Sequence, residues 1–164
     1  MNWYLVLRFL HIASAMIFVG GIFARQFVRS VAYQTDDVRK FAALSEGAGR
    51  IEQLMVIPGN LAVIVFGVIL ALITGAPILG FLQGSSTNWL LMANVLLILA
   101  FVAVPFVFIP HGKKFDPILR DALAAGQITP QLRAELDDPV VQFAHWYEMV
   151  SLVVVVILMV FKPF

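Results

Sequence analysis

Residues 53–112 read QLMVIPGNLAVIVFGVILALITGAPILGFLQGSSTNWLLMANVLLILAFVAVPFVFIPHG, and this stretch contains no Asp, Glu, Lys or Arg. A helix that crosses a bilayer needs about 20 predominantly apolar residues, so the stretch is too long for one span. Gly75-Ala76-Pro77 and the polar segment 83–88 interrupt it with residues that are typical of turns. The stretch therefore predicts two membrane-spanning helices, at about 53–74 and 88–110.

Two further apolar segments flank this stretch, at about 3–24 and 139–161. The first contains Arg8 but lacks the basic start and the clear cleavage site of a signal peptide, so we expect a retained helix. The second follows Asp138-Pro139, an N-cap residue and a proline suited to the first helical position. Because 61% of the 164 residues are hydrophobic and only 13% are charged, much of the surface must face lipid. We predict an all-α fold, a four-helix transmembrane bundle that the whole chain forms as a single domain.

The lysines and arginines are concentrated in the first and third loops, whereas the second loop has none and the C-terminal tail has only Lys162. The basic residues of the two loops are Arg25, Arg29, Arg39, Lys40, Arg50, Lys113, Lys114, Arg120 and Arg133. Basic loops stay in the cytoplasm, so we predict that both termini lie outside. The expected location is the bacterial cytoplasmic (inner) membrane, as a multi-pass protein.

The two basic loops also carry helix signals. Residues 35–50 have helical composition, and Asp116-Pro117 and Thr129-Pro130 each resemble an N-cap followed by a proline. We therefore expect short cytoplasmic helices in loops one and three. Within the spans, Pro58-Gly59 and Pro105 predict kinks in the second and third helices.

Composition excludes several classes of function. The net charge is +1 and no basic run is dense, which argues against nucleic-acid binding. The chain has no cysteine, so a disulfide framework, a CxxC redox pair and a cysteine-ligated iron–sulfur cluster are excluded. The expected partners are the lipid bilayer and either other membrane proteins or further copies of this chain.

Helix 1 contains Arg8 and His11, which share one face because they are three residues apart. An intramembrane imidazole can be an axial haem ligand, and an arginine one turn nearer the surface can pair with a propionate. In the alternative interpretation, Arg8 extends to the interface and His11 forms a hydrogen bond with a neighbouring helix. His11 is thus a candidate metal ligand, and Arg8 a candidate cofactor-binding residue.

Helix 4 carries a polar stripe at three-residue spacing, formed by Gln142, His145 and Glu148. Such a stripe can relay protons, and Glu148 and His145 are the candidate catalytic residues; the alternative is a structural pair that hydrogen-bonds across the bundle. From the span boundaries, His11 and His145 should differ in depth by roughly 9 Å. A site with one histidine ligand therefore fits better than a bis-histidine site. His111 lies lower still, near the cytoplasmic surface, as a helix cap or facing headgroups.

The segment from His11 through Phe18 to Gly20-Gly21 resembles the first-helix motif of a superfamily of small bacterial membrane proteins. That superfamily includes HemJ-type protoporphyrinogen oxidases, CopD-type copper-resistance proteins and an uncharacterised family of four-helix integral membrane proteins. Helix 2 is similar to the HemJ pattern at Glu52, Leu54, Pro58 and Gly67, and the chain end after Glu148 is similar too. The resemblance implies that His11 is a haem b ligand. If the chain is an enzyme, it implies a membrane oxidoreductase of the HemJ type.

The chain also departs from the HemJ pattern. Residues 91–94 contain no lysine where HemJ proteins have one, and Tyr147 precedes Glu148 in place of asparagine. These departures favour the uncharacterised four-helix family over a HemJ enzyme.

Three functional hypotheses follow. The first is a small membrane redox protein that holds haem b, with Glu148 and His145 carrying protons. The second is a non-catalytic accessory subunit of a larger membrane complex, which the near absence of extramembrane mass favours. The third is a copper transporter, although the scattered methionines form no obvious ladder of metal ligands: Met16, Met55, Met92 and Met149.

Overall fold

The structure, a computed structural model, describes residues 2–164, and within that range it contains helices and loops but no strand. The α-helices are α1 (Trp3–Tyr33), α2 (Val38–Ile51), α3 (Ile57–Thr74), α4 (Trp89–Ala103), α5 (Ile109–Ala125), α6 (Pro130–Leu136) and α7 (Pro139–Phe161). A single 3-10 turn, Gly80–Gln83, lies in the loop between α3 and α4.

Two π-helical turns join consecutive α-helices into longer continuous helical segments. Glu52–Val56 joins α2 to α3, and Val104–Phe108 joins α4 to α5. Each turn lies next to a proline or contains one, at Pro58 and Pro105, where an α-helical N–H is missing. The sequence predicted kinks at these prolines; the structure shows turns with i→i+5 hydrogen bonding beside them.

Four helical segments are long and apolar enough to cross a membrane, which confirms the predicted all-α architecture. They are Trp3–Tyr33, Val38–Thr74, Trp89–Ala125 and Pro130–Phe161, with 31, 37, 37 and 32 residues. At about 1.5 Å per residue each segment is longer than a hydrocarbon core of about 30 Å. The loop between the second and third segments is short, so the extra length lies at the end where loops one and three were predicted.

The extra length forms a small helical domain, which we call the helical cap: α2, α6, the end of α1 and all of α5. Its core buries Ala32, Val38, Phe41, Ala122 and Leu132. Phe41 packs against Phe115, with ring centroids 6.1 Å apart. Short helices were predicted in loops one and three; in the structure the sequences outside the apolar spans continue the long helices and share a core with these short ones.

Several predictions for the loops are confirmed and one is wrong. Asp37 caps α2, within the region of predicted helical composition, and Thr129 caps α6 by accepting a hydrogen bond from the N–H of Leu132. Asp138 caps α7 through the N–H groups of Val140 and Val141. Asp116-Pro117, however, does not begin a helix.

Pro117 instead lies inside α5, which starts seven residues before Asp116. The neighbouring residues Phe115, Ile118 and Leu119 pack against the core of the cap. Packing of this apolar face therefore outweighs the local signal for a helix start, and α5 tolerates the missing hydrogen bond at the proline.

In the membrane part, the helices pack chiefly as two pairs, α1 with α3 and α4 with α7. Phe18, Ile22 and Val56 form a buried cluster with Leu152, which links the first pair to α7. A second cluster, Ala93 with Val155 and Leu158, lies within the other pair. The link between the pairs lies toward the cap, and this is where the polar side chains meet.

Candidate functional site

Arg25 occupies the centre of a buried ionic cluster between the two helix pairs. Its side chain is 8% exposed and its guanidinium donates hydrogen bonds to the carboxylates of Glu52 and Glu148. Glu52 is 35% exposed, and Glu148, on α7, is 18% exposed. A charge in this position is costly unless it is paired, so the two carboxylates are what allow Arg25 to stay inside the protein.

Helix packing brings Glu52 to Arg25. The π-helical turn Glu52–Val56 lies directly against Gly21, where an added Cβ would be 2.9 Å from the Cβ of Met55. Only a residue without a side chain permits this close approach of the two helices. Gly21 and the turn together set Glu52 one helical turn beyond the apolar contact, level with Arg25.

His145 completes the cluster from α7. Its ring is buried and stacks on Phe108 of the second π-helical turn, with centroids 4.6 Å apart and planes 28° from parallel. The Nδ1 atom lies 3.7 Å from Oε2 of Glu148. Among the residues that the structure describes, neither ring nitrogen of His145 has a hydrogen-bond partner, and nor does Nε of Arg25.

The polar stripe was predicted on the fourth spanning helix, which is α7 in the structure. Only part of this stripe belongs to the ionic cluster. His145 and Glu148 both join the cluster, but Gln142 is exposed and its amide donates to the carbonyl of Leu136, at 3.4 Å. The sequence interpretation missed Arg25 and Glu52, because both were assigned to the loop side of the predicted spans. Helix α1 in fact continues through Arg25 to Tyr33.

A signal for Arg25 was present in the sequence. Ser14, Phe18, Gly21 and Arg25 are spaced by four, three and four residues, so they share one face of a helix. All four are buried in the structure. The buried face of α1 thus extends to the charged residue Arg25. No helix-breaking residue follows before Thr35.

His11 occupies a separate position near the opposite end of α1. Its ring is half-buried, and Nδ1 is 3.1 Å from the backbone carbonyl oxygen of Val63 on α3. A carbonyl oxygen can only accept, so Nδ1 carries the hydrogen and Nε2 keeps its lone pair. Gly67 provides room for the ring, since a Cβ there would be 3.0 Å from Cε1 of His11. Arg8, one turn away, is exposed.

The helices separate His11 from the ionic cluster by much more than the sequence suggested. Arg25 follows His11 by fourteen residues on the same uninterrupted helix, which corresponds to roughly 21 Å. The predicted depth difference of roughly 9 Å between His11 and His145 is therefore too small. The error arose because residue 24 was taken as the inner end of helix 1.

His111, the third histidine, lies in the cap. Its Nδ1 is 2.9 Å from Oε1 of Glu135, and its Nε2 is 3.8 Å from Oδ2 of Asp138. It thus joins α5 to the residue that caps α7, and it lies apart from both candidate sites.

The nitrogen that His11 offers is chemically suited to bind the iron of a haem. A histidine ligand of a metal usually donates its other ring N–H to a carbonyl or carboxylate, which fixes the orientation of the ring. The bond from Nδ1 to Val63 does this and leaves Nε2 available. No group of three or more His, Asp or Glu side chains suited to a metal ion occurs within residues 2–164. Two open cavities, of about 370 and 550 Å³, are lined by other residues, near the loop that joins α3 to α4.

Four apolar helical segments with a buried ionic cluster define a multi-pass integral membrane protein of the all-α class. Residues 5–163 match the family described as predicted integral membrane protein (DUF2269). The chain belongs to this family, which agrees with the resemblance to a family of small four-helix membrane proteins. No curated protein and no solved structure matches the chain.

Proposed function

We propose that the protein is a small membrane redox protein that binds haem b through Nε2 of His11. The observation that carries the proposal is the hydrogen bond from Nδ1 of His11 to the carbonyl oxygen of Val63. It fixes the tautomer and the direction of the ring within the membrane, as an axial ligand requires.

The surroundings of His11 support the same proposal. The absence of a side chain at Gly67 leaves space for the His11 ring against α3. Arg8 is exposed on the same face of α1, one turn nearer the N-terminus, where a guanidinium would pair with a haem propionate. From the distribution of basic residues, we expect this end of α1 on the outer side of the membrane.

Bound haem would supply one-electron chemistry, and the chain itself would handle protons. Glu148 and His145 are the residues we assign to that task, and the position of both in the ionic cluster supports the assignment. The cluster lies roughly 21 Å along α1 from His11. Electrons and protons are therefore handled at different depths, the protons nearer the cap.

The first test is the visible absorption spectrum of detergent-purified protein, oxidised and dithionite-reduced, after expression with added haem precursor. We expect a Soret band and a reduced α-band in the wild type and their loss in His11→Ala. His111→Ala is the matched control and should keep both bands, because His111 lies in the cap. A wild-type spectrum without haem bands would refute the proposal, as would full haem content in His11→Ala.

A second candidate function is a non-catalytic subunit of a larger membrane complex. The observation that favours it is the open packing of α4, which contacts chiefly α7 and leaves large side chains exposed within the membrane. These side chains include Met92, Val95, Ile98, Leu99 and Phe101. Purification in a mild detergent distinguishes the two functions: stoichiometric partners without bound cofactor favour the subunit.

A further inference from the structure

The haem proposal assigns His145 to proton handling but does not explain why both ring nitrogens lack a hydrogen-bond partner in the part of the chain that the structure describes. The residue is 8% exposed, and neither Nδ1 nor Nε2 has a hydrogen-bond partner within residues 2–164. Buried polar atoms are nearly always paired, since an unpaired one costs free energy. A histidine kept in this condition next to a carboxylate is suited to take up a proton.

Glu148 connects the histidine to the arginine through one oxygen atom. Its Oε2 accepts a hydrogen bond from Arg25 and lies 3.7 Å from Nδ1 of His145. A neutral imidazole carries a hydrogen on only one of its nitrogens and has no positive charge, so it does not replace the guanidinium as the partner of this oxygen. A protonated imidazole can, because Nδ1 then carries both a hydrogen and a positive charge, and less than about 1 Å of movement makes the hydrogen bond.

The charges that face His145 come from three directions. Arg25 and Arg29 lie on α1, Glu52 lies on the first π-helical turn, and Glu148 lies on the histidine's own helix. The second π-helical turn contributes only the uncharged ring of Phe108. With neutral His145 the two arginines balance the two carboxylates. One added proton leaves three cations for two carboxylates, so the ion pairs must be redistributed.

The redistribution has a preferred direction. Glu52 is about twice as exposed as Glu148, so a pair between Arg25 and Glu52 can rearrange toward water more easily than the deeper pair. The protonated histidine would then hold Glu148, and Arg25 would stay with Glu52. Because Arg25 is on α1 and Glu148 is on α7, this exchange removes an ionic contact between the two helix pairs.

We propose that His145 is a proton-binding site at the junction of membrane and cap, and that proton binding transfers Glu148 from Arg25 to His145 and loosens the two helix pairs. The proton comes from hydronium in the aqueous phase on the cap side: an N–H bond forms at Nδ1, an O–H bond breaks, and water leaves. No electron is transferred. The proposal does not depend on haem at His11.

The first experiment follows the histidines directly. The chain has three, so protein labelled with ¹⁵N-histidine gives few ring signals, which His11→Gln, His111→Gln and His145→Gln assign. We expect the His145 ring signals to shift reversibly as the sample is acidified from neutral pH, as those of a titrating histidine do. Ring signals of His145 that stay constant on acidification would overturn the proposal.

The second experiment follows the helix pairs. The chain has no cysteine, so Ser30→Cys on α1 and Val140→Cys on α7 place two spin labels at exposed positions without further changes. We expect the interlabel distance in nanodiscs to increase as the pH falls through the His145 titration. The increase should be lost in His145→Gln and kept in His111→Gln, the matched control.

A third variant tests the role of the carboxylate that is exchanged between Arg25 and His145. Glu148→Gln removes the exchanged carboxylate, so the distance should no longer respond to pH while His145 still titrates. Retention of the pH-dependent distance change in His145→Gln or Glu148→Gln would contradict the mechanism. All measurements are repeated in His11→Ala without haem, where the same result is expected; failure of the haem proposal therefore leaves this outcome unaffected.

Discussion

Gly21 of α1 faces Met55 of the first π-helical turn so closely that an added Cβ would be 2.9 Å from the Cβ of Met55. The adjacent Gly20 has no neighbour within 4 Å of its own added Cβ. The two glycines, consecutive in sequence, thus have opposite environments, and only one of them holds the helices together.

We expect Gly21→Ala to lower the free energy of unfolding by about 1–3 kcal/mol, the usual cost of overpacking a tight contact. Gly20→Ala should leave it unchanged or slightly raised, since alanine favours a helix more than glycine does. Thermal unfolding of both variants in the same detergent, followed by circular dichroism, measures the difference. Equal stability of the two variants would mean that the contact with Met55 does not constrain the bundle.

Removal of the guanidinium at Arg25 should be costly because it leaves two carboxylates close together without a cation. We expect Arg25→Gln to lower the free energy of unfolding by about 3–5 kcal/mol, as for other buried ion pairs that lose one partner. Arg50→Gln is the matched control. Arg50 pairs with Glu46 on the exposed face of α2, so its loss should cost less than about 1 kcal/mol. A small effect of Arg25→Gln would show that water reaches the cluster.

Gly67→Ala tests the haem proposal without changing the ligand. The new Cβ would be 3.0 Å from Cε1 of His11, so the ring must move and its bond to Val63 weakens. We expect about tenfold weaker binding of haemin, the lower end of what loss of an orienting contact costs a metal site. Haemin titration of the apoprotein gives the dissociation constants, with Gly20→Ala as the control. Unchanged affinity in Gly67→Ala would argue that His11 does not orient a ligand bond.

Acid should loosen the start of α2. The N–H groups of Lys40 and Arg39 donate to Asp37, and these bonds hold the pKa of the Asp37 carboxyl below its ordinary value. A lowered pKa in the folded state means that the carboxylate stabilises α2 above the ordinary carboxyl pKa, and that this stabilisation is lost as the pH falls through the lowered value. The protection factors of the amides of residues 39 and 40, which are corrected for the intrinsic pH dependence of exchange, should fall accordingly on acidification.

In Asp37→Ala this part of the pH dependence should disappear, because alanine offers no acceptor to the two amides. Asp36→Ala provides the control, since Asp36 pairs with Arg133 and does not cap the helix. If the wild type and Asp37→Ala show the same exchange profile, the cap does not stabilise α2.

The predicted orientation can be measured with single cysteines in this cysteine-free chain. Ser86→Cys lies in the loop between α3 and α4, and Lys114→Cys lies in the cap. With both termini outside, a membrane-impermeant maleimide should label Ser86→Cys in intact cells, and Lys114→Cys only after permeabilisation. The reverse labelling pattern would place the cap and the ionic cluster on the outer side.

The four helices were predictable because each apolar stretch has a length that a bilayer imposes, and the caps Thr129 and Asp138 were readable from local residue types. The ionic cluster was not predicted. Arg25 and Glu52 stand at the edges of apolar stretches, where charge normally marks the end of a span. The cluster that buries them depends on Glu148 of α7, more than ninety residues away in sequence. No local sequence pattern indicates that contact.

The same limit explains the error at Asp116-Pro117. Local chemistry favours a helix start there, but the apolar face around Phe115 and Leu119 belongs to a core to which three other helices, α1, α2 and α6, contribute. Where tertiary packing supplies most of the stability, a local signal of about 1 kcal/mol does not decide the outcome. Local residue types thus predicted the spans and several helix starts, whereas contacts between distant segments, in the ionic cluster and in the core of the cap, were not predictable from them.

Helix α1 runs without a break from Trp3 to Tyr33. At about 1.5 Å per residue, its 31 residues extend over roughly 46 Å as a single element. Tyr33 is held at the far end by Asp137, and its ring also faces Arg133. The attachment of Tyr33 to Asp137, which lies between α6 and α7, therefore helps to orient the same continuous helix that carries His11.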